Sequence, residues 1–491
     1  MDKVKIKLRD NSMLQFVECP PHIAEELSDK LTFEVPGAKY MPSVKRGHWD
    51  GMIRLFNRKN GRINAGLLQK VKQIVEDSGA KLEFEDSEFG LPGSKNAIKR
   101  ADVVEWTKGL TLPFEPKYYQ YDALAHGMKN KRAVFLSPTG SGKSFIAYLL
   151  CRAFLEKNQR HVLIIVPTTG LVEQLHNDFV EYNPKMSGYI QKIYAGHETE
   201  IKMPITISTW QSIYKFRQPW FEKFGMVIGD EAHGFKSTSL TSIMNKSINA
   251  DYRFGLSGTL DDSEVHALVL EGLFGPIVQV TTTNKLQKEK TLAHLDIKIA
   301  KIKYSDAEKK HTHKMTYHEE VDFIVTHEKR NKLIKKLALS LEGNTLVLFN
   351  YVEKHGKVLR DMLEEDIEEG RKLYYVSGET AVNDRESIRG IVEKQGNAII
   401  VASFGTFSTG INIRNIHNII FASPSKSVIR VLQSIGRGLR VSDDGMHTTL
   451  FDLMDDLIWT GRENFAYKHA VSRTEIYERE KFPFAIEEVR I

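Results

Sequence analysis

The stretch Ser137-Pro138-Thr139-Gly140-Ser141-Gly142-Lys143-Ser144 collects residue types that hold a nucleoside triphosphate. Small residues let successive backbone N–H groups turn toward phosphate oxygens, and a following helix adds the positive end of its dipole. Lys143 would neutralise the β and γ phosphates, and the Ser144 hydroxyl suits a Mg2+ ligand. Thr139, Gly140, Ser141, Gly142, Lys143 and Ser144 are therefore the candidate ATP-binding residues. The strict pattern opens with glycine, where this chain has Ser137. Gly-Lys-Ser alone is a short match, and the apolar runs on either side, AVFLSP and FIAYLL, supply the strand and helix that such a loop requires.

Two further constellations suit phosphate chemistry. Asp230-Glu231-Ala232-His233 closes the apolar run MVIG. A carboxylate at the carboxyl end of a strand, here Asp230, can hold Mg2+ beside the Ser144 hydroxyl. Its neighbour Glu231 can orient or deprotonate an attacking water. An isolated Asp-Glu reads more simply as acids opening a helix; a phosphate loop on the same sheet gives this pair its chemistry. Farther on, Gln433-Ser434-Ile435-Gly436-Arg437-Gly438-Leu439-Arg440 spaces two arginines three apart, on one side of a helix. Taken alone, that segment is also a solvated basic turn. Next to a bound triphosphate, its guanidinium pair would stabilise charge building on the γ-phosphate.

The elements that must position these groups follow an alternating pattern. Short apolar runs at 133–138, 161–167, 204–208 and 224–233 alternate with helical patterns, as buried parallel strands and crossover helices do. A second series at 344–350, 372–378, 397–403 and 417–423 repeats the arrangement. The fold class expected is α/β: two tandem parallel-sheet lobes with a small N-terminal α+β accessory domain. The boundaries read as 1–95 accessory domain, 96–284 first lobe, 285–325 a polar connector with a possible strand at 296–304, and 326–491 second lobe with C-terminal helices. The accessory unit shows a strand at 1–10, a helix at 22–30, a strand at 53–56 and a helix at 65–77. It ends in the turn-rich linker EDSEFGLPGSKN.

In this order the segments resemble superfamily 2 helicases of the DEAH-box-like, restriction-motor kind, over roughly residues 115–455. The resemblance implies two RecA-like lobes and ATP hydrolysis with Mg2+. It assigns adenine reading to Gln120 within Tyr119-Gln120-Tyr121 and the nucleic-acid backbone to Pro167, Thr168 and Thr169. Thr209 and Trp210 resemble a second backbone-contacting segment, although a packing role for Trp210 is the simpler reading. Ser257-Gly258-Thr259 is similar to the motif that couples hydrolysis to motion. Thr409 and Gly410, in Ser408-Thr409-Gly410-Ile411-Asn412, resemble a second-lobe motif contacting DNA and nucleotide, with Asn412 where aspartate is often found. Gln433, Arg437 and Arg440 match the motif that supplies an arginine finger. The catalytic candidates are thus Lys143, Asp230, Glu231, Gln433, Arg437 and Arg440.

Within the first 95 residues, Arg46-Gly47-His48-Trp49-Asp50-Gly51 followed by Ile53-Arg54-Leu55 resembles the accessory domain of UvsW-type recombination helicases of tailed bacteriophages. That resemblance implies ATP-driven remodelling of branched DNA: Holliday junction migration, fork regression, and unwinding of R-loops or D-loops. DNA, branched or duplex, is the expected partner, with RNA–DNA hybrid, recombination proteins and single-strand-binding proteins as further candidates. Eight Lys or Arg residues fall between Val44 and Lys72 against one acid, Asp50. From this patch Lys45, Arg46, Arg54, Arg58 and Lys59 are the candidate phosphate contacts. Trp49 reads as a small-core residue rather than a stacking platform. Two other classes share these motifs: a motor subunit of a restriction or excision-repair system, and a non-motor ATP-switched clamp.

Composition narrows the field without deciding it. The net charge of +6 is ordinary for 491 residues, and two cysteines, Cys19 and Cys151, build neither a disulfide framework nor a cysteine-rich metal site. No apolar run approaches 18 residues, so no membrane partner and a cytoplasmic location are expected, the host cytoplasm if the gene is phage-borne. His311, His313, His318 and His327 lack tight ligand spacing and read as solvated. The acids Glu364, Glu365, Asp366, Glu368 and Glu369 read as an exposed helix face.

Overall fold

The computed structural model describes residues 2–491 apart from 36, 86–97, 139, 195, 233–236, 259–263, 290–294, 381, 393, 411–414, 425–446 and 480. The chain divides into two compact units, one formed by Met1–Pro138 with Gly142–Thr281, the other containing Thr282–Ile491.

The first unit holds a mixed sheet, a two-stranded ladder and an all-parallel sheet. β1 (Lys3–Asp10), β2 (Met13–Glu18), β5 (Phe56–Asn57), β6 (Arg62–Asn64) and β7 (Lys81–Phe84) form a mixed sheet in the order β5-β6-β2-β1-β7. Val4, Ile6, Leu14 and Phe16 alternate inward to meet the helices Pro21–Lys30 and Leu68–Asp77. A second ladder pairs β3 (Thr32–Glu34) with β4 (Met52–Arg54), antiparallel. This mixed sheet and its helices belong to the same compact unit as the strands that follow. Leu268, from the helix Glu264–Phe274, belongs to the same apolar core as Leu67 and Val71. Gly66 lies so close to the Glu271 carbonyl that any Cβ would collide with it.

β8 (Arg132–Leu136), β9 (His161–Val166), β10 (Ile190–Ile193), β11 (Ile205–Thr209), β12 (Phe224–Asp230), β13 (Tyr252–Ser257) and β14 (Ile277–Gln279) make an all-parallel sheet ordered β10-β11-β9-β12-β13-β8-β14. Buried Val162, Ile164, Val166 and Leu163, Ile165 show why the run HVLIIVP is apolar throughout: helices cover both faces of the strand.

The second unit repeats this plan. β15 (Leu295–Lys303), β16 (Thr345–Phe349), β17 (Lys372–Val376), β18 (Ala398–Ser403), β19 (Asn418–Phe421), β20 (Thr448–Asp456) and β21 (Phe484–Arg490) lie parallel in the order β17-β18-β16-β19-β20-β15-β21. Two expectations change here. The stretch 285–325, expected as a connector with a possible strand at 296–304, holds that strand as β15, placed inside the second sheet. The C-terminal region is not helical to its end: after the helix Phe465–Arg479 the chain returns as β21 alongside β15. Arg473, buried, fixes that helix by donating to both Asp452 carboxylate oxygens (2.7 to 3.1 Å). Together the two sheets are RecA-like lobes in tandem, with the mixed sheet preceding them.

Candidate nucleotide site and nucleic-acid surface

β8 delivers Ser137 to the carboxyl edge of the first sheet, where its N–H donates to the Ser257 carbonyl at the end of β13 (2.9 Å). The phosphate loop and the Ser257-Gly258 segment thus begin side by side. The chain then passes through Gly140 (φ +84°) and Gly142 (φ +82°) into the helix Lys143–Lys157. Gly142 is constrained twice, by a left-handed backbone and by the Gln120 amide packed against its α-carbon. No side chain caps the helix start, so its first turn offers amide groups and a positive dipole end to an anion.

Across the loop stands the acidic pair. β12 carries Asp230 to its last position, and Glu231 follows in a left-handed conformation (φ +50°), uncommon for a residue with a side chain and costing about 1–3 kcal/mol. Lys143 Nζ donates to Glu231 Oε1 at 2.9 Å, with 12% and 18% of the two side chains exposed. The Glu231 N–H donates to Asp230 Oδ1 at 3.0 Å. Burial, then the Glu231 charge, pushes the Asp230 carboxyl up to about 7, against the opposing pull of Lys143. Two carboxylates thus stand beside one lysine at this site.

Two further groups at this site, Tyr182 and Asp178, had no motif to announce them. The Ser144 hydroxyl shares a hydrogen bond with the Tyr182 hydroxyl (2.9 Å), and the Tyr182 ring packs edge-on to Phe145 and Tyr148. One turn earlier on the same helix, Asp178 adds to the negative field on Asp230. The only sequence signal was their spacing of four on one helix face. Gln120 accepts the Lys117 N–H (2.9 Å) at the start of the helix Tyr118–Asn130 while lying against Gly142.

The candidate backbone-contacting residues gather on the same sheet edge. Thr209 pairs in register with Val166, and the Gln211 side chain donates to the Pro167 carbonyl (3.1 Å). Thr168 Oγ1 accepts the Leu171 N–H (3.3 Å), capping the helix Thr169–Tyr182. Thr209 Oγ1 shares a hydrogen bond with Ser212 Oγ (2.8 Å). Trp210 is half-buried, edge-on to Tyr214 and packed on the lobe's apolar core. In the N-terminal patch Arg54 pairs with Asp50 (2.5 Å) and Arg58 with Glu25 (3.6 Å). Among the described residues no carboxylate pairs with Lys45, Arg46 or Lys59. Trp49 donates its indole N–H to the Met52 carbonyl (3.0 Å), a packing role.

Thr139, His233, Thr259, Ile411, Asn412, Gln433, Arg437 and Arg440 lie outside the described residues. Thr409 and Gly410 close the helix Phe404–Gly410, their side-chain surroundings likewise outside them. Among the described residues no three His, Cys, Asp or Glu side chains converge as a metal cluster. His327 uses both ring nitrogens, with Glu308 (2.8 Å) and the Arg330 N–H (3.2 Å). Glu365 and Asp366 pair with Lys335. No helix among the described residues is long and apolar enough to cross a membrane.

Known proteins resemble this chain along its whole length. Residues 3–85 match the family "DNA helicase UvsW, N-terminal", residues 113–262 "Type III restriction enzyme, res subunit", and residues 328–442 "Helicase conserved C-terminal domain". The ATP-dependent DNA helicase uvsW of Enterobacteria phage T4 is 34% identical over 510 aligned positions, covering 99% of this chain and 100% of that protein. The DNA 3'-5' translocase XPB2 of Sulfurisphaera tokodaii is 27% identical, covering 59% of this chain and 62% of its own. The crystal structure of T4 UvsW superposes with a TM-score of 0.53 at 32% identity, over all of both chains. A phosphate loop facing an Asp-Glu pair, a second RecA-like lobe and the matching N-terminal domain place the chain in the UvsW family of ATP-dependent DNA helicases.

Proposed function

We propose that this helicase remodels branched DNA, migrating four-way junctions, regressing forks and unwinding R-loops or D-loops during recombination, repair and replication. The observation that carries the reading is the Lys143–Glu231 pair, 2.9 Å apart at the carboxyl edge of a sheet that also presents Pro167, Thr168, Thr169 and Thr209. Nucleotide chemistry and strand contact then share one rigid edge. The relation to T4 uvsW extends through the N-terminal domain, which favours branched substrates over the restriction-motor and clamp alternatives.

In this proposal Lys143 exchanges Glu231 for the β- and γ-phosphate oxygens of ATP. The freed Glu231 carboxylate orients the attacking water and takes its proton. Gly140, Ser141, Gly142 and the first turn of the helix Lys143–Lys157 cradle the phosphates, with Thr139 beside them. Ser144 and Asp230 would hold Mg2+, and a buried Asp230 carboxyl beside Glu231 fits that role because a divalent cation would offset the charge of the two acids. The bound cation supplies charge neutralisation at the phosphates. Gln120 is proposed near the adenine and Gly410 near the nucleotide. Gln433, Arg437 and Arg440 are proposed to stabilise transition-state charge. Trp210 and Thr409 complete the proposed strand contacts, with Lys45, Arg46, Arg54, Arg58 and Lys59 on duplex phosphates. Recombination or single-strand-binding proteins are the proposed protein partners, RNA–DNA hybrid a further substrate, and the host cytoplasm the proposed location.

The test is ATP turnover and strand rearrangement on plain duplex, forks, four-way junctions and R-loops. Branched substrates should be resolved while plain duplex is left paired. Equal activity on all four, or turnover without rearrangement of any, overturns the proposal.

A further inference from the structure

Tyr182 is the last residue of the helix Thr169–Tyr182, and its place is fixed from two directions. Behind it, the Asn183 N–H donates to the Phe179 carbonyl (3.0 Å) and the Asn183 side chain accepts the Lys185 N–H (3.1 Å). Hydrogen bonds therefore close the turn that follows the helix. Around it, the ring lies edge-on to Phe145, Tyr148 and Phe114, with centroids 5.0, 5.4 and 5.8 Å away. Edge-to-face contacts with three neighbours hold a ring in one orientation. A phenylalanine would satisfy all of them.

What tyrosine adds is the hydroxyl, and it lies 2.9 Å from the Ser144 hydroxyl. Ser144 is the second residue of the helix Lys143–Lys157, directly after the phosphate-loop lysine. A serine side chain chooses among staggered orientations, and some of them let the hydroxyl bond neighbouring backbone groups instead of a ligand. Among the described residues, Tyr182 is the one partner of the Ser144 hydroxyl. A serine oxygen that gives a lone pair to a divalent cation becomes a stronger donor through its proton, and it needs an acceptor beside it. The Tyr182 oxygen is such an acceptor, delivered by a ring that cannot swing away. The hydroxyl of the adjoining Tyr148 is engaged elsewhere, accepting from Arg152 one turn along its own helix (2.9 Å).

We infer that Tyr182 is the positioning residue of the Ser144 hydroxyl. It accepts the hydrogen bond from the Ser144 proton, keeps that side chain in one orientation, and leaves the serine lone pairs for the divalent cation that accompanies ATP. Tyr182 acts through Ser144 and not on the nucleotide. This assignment rests on the proposed role of Ser144 as a Mg2+ ligand and supplies the group that orients that ligand. Orienting partners of metal ligands carry roughly tenfold to a hundredfold of metal affinity.

The test uses the full chain and a non-hydrolysable fluorescent ATP analogue, its dissociation constant measured in EDTA and at saturating Mg2+. The ratio of the two values is the gain in affinity that the metal brings. Tyr182→Phe keeps the ring; it should leave binding in EDTA unchanged and lower the gain about tenfold. Tyr148→Phe, which removes the adjoining hydroxyl, should keep the parent gain. Ser144→Ala should lower the gain at least as far as Tyr182→Phe does. Adding Tyr182→Phe to it should lower the gain no further, because the two hydroxyls act as one unit. A parent-sized gain in Tyr182→Phe, or a further loss in the double variant, overturns the inference. A parent-sized gain in Ser144→Ala would instead remove Ser144 as a metal ligand in the proposed function, and the inference would fall with it.

Discussion

Lys143 and Glu231 neutralise each other, so neither substitution is silent for the other. Lys143→Ala leaves two carboxylates without their ammonium and drives the Asp230 carboxyl still higher. Glu231→Gln keeps the shape and removes the base. Each is expected to lower ATP turnover at least about a hundredfold while the thermal midpoint stays within a few degrees, because electrostatic groups at a transition state carry effects of that size. Steady-state turnover and a thermal melt check this, and near-normal turnover in folded Glu231→Gln protein removes the assignment. For Arg437→Ala and Arg440→Ala the expected signature differs: turnover falls by about a hundredfold or more with ATP affinity nearly unchanged, since a finger acts on charge that develops during transfer. Affinity falling in step with turnover would point to uniform binding instead. Much of this site was legible because its chemistry is local in sequence, a loop of small residues ending in Lys143-Ser144 and an acid pair ending a strand. The Tyr182 hydroxyl on Ser144 and the Gln120 amide against Gly142 were not, because both depend on separate helices being brought together.

Strands buried on both faces announce themselves as continuous apolar runs, which is why β8, β9, β12, β16 and β18 were legible. β15 showed only as a possible strand at 296–304 inside a polar stretch, and β21 not at all. LDIKIAKIK interleaves lysines with buried Leu295, Ile297 and Ile299, and Lys301 and Lys303 are retained by ion pairs to Asp456 on the adjoining β20. β21 lies at the sheet edge with most of its residues exposed, so no apolar run marks it. A buried polar junction ties the elements of this lobe in a way no run of residues reveals. His355, after β16, faces Ser423 Oγ (2.8 Å) and Asn331 Oδ1 (3.2 Å), while Arg330 binds both oxygens of Asp455 (2.7 and 3.0 Å) and the Ala422 carbonyl (2.8 Å). Burial, and then the Arg330 charge, pushes the His355 imidazole down to about 3. The unfolded chain, with an ordinary imidazole near 6.5, therefore takes up a proton first as pH falls. Stability contributed by neutral His355 is present above that value and is lost as pH drops toward 3, by up to about 1.4 kcal/mol per unit. The parent should lose more stability than His355→Gln between about pH 6.5 and 4.5, measured by denaturant midpoints; parallel profiles would contradict the burial argument.

Across the first unit the N-terminal domain and the first lobe share their packing, and this decides how a DNA-targeting role can be tested. Arg253, wholly buried at the seam, donates to Ser12 Oγ (2.8 Å) and the Met244 carbonyl (3.0 Å), and Arg132 donates to the Asn11 carbonyl. Burial lowers both guanidinium groups, Arg253 to about 9. Removing residues 1–95 would rehydrate these cations, a partial gain. It would also strip the cover from Leu268 and from the cluster under Ile53 and Leu55. One fully buried leucine is worth about 1.5–3 kcal/mol, so the truncated chain is expected to melt at least about 5 °C lower and to aggregate. Lost DNA binding in that fragment would not separate targeting from misfolding. Charge reversal at Lys45, Arg46 and Lys59 does separate them, since all three are exposed and no described carboxylate pairs with them. Arg54 and Arg58 are poorer choices because their reversal would set like charges against Asp50 and Glu25. The triple variant should keep its thermal midpoint within about 2 °C. Its affinity for a four-way junction should fall, and the slope of log affinity against log salt should become shallower by about 2 to 3, close to 0.9 for each lost phosphate contact. A salt titration giving the parent slope would show that these cations meet no phosphate, and the targeting role of the patch would fall with it.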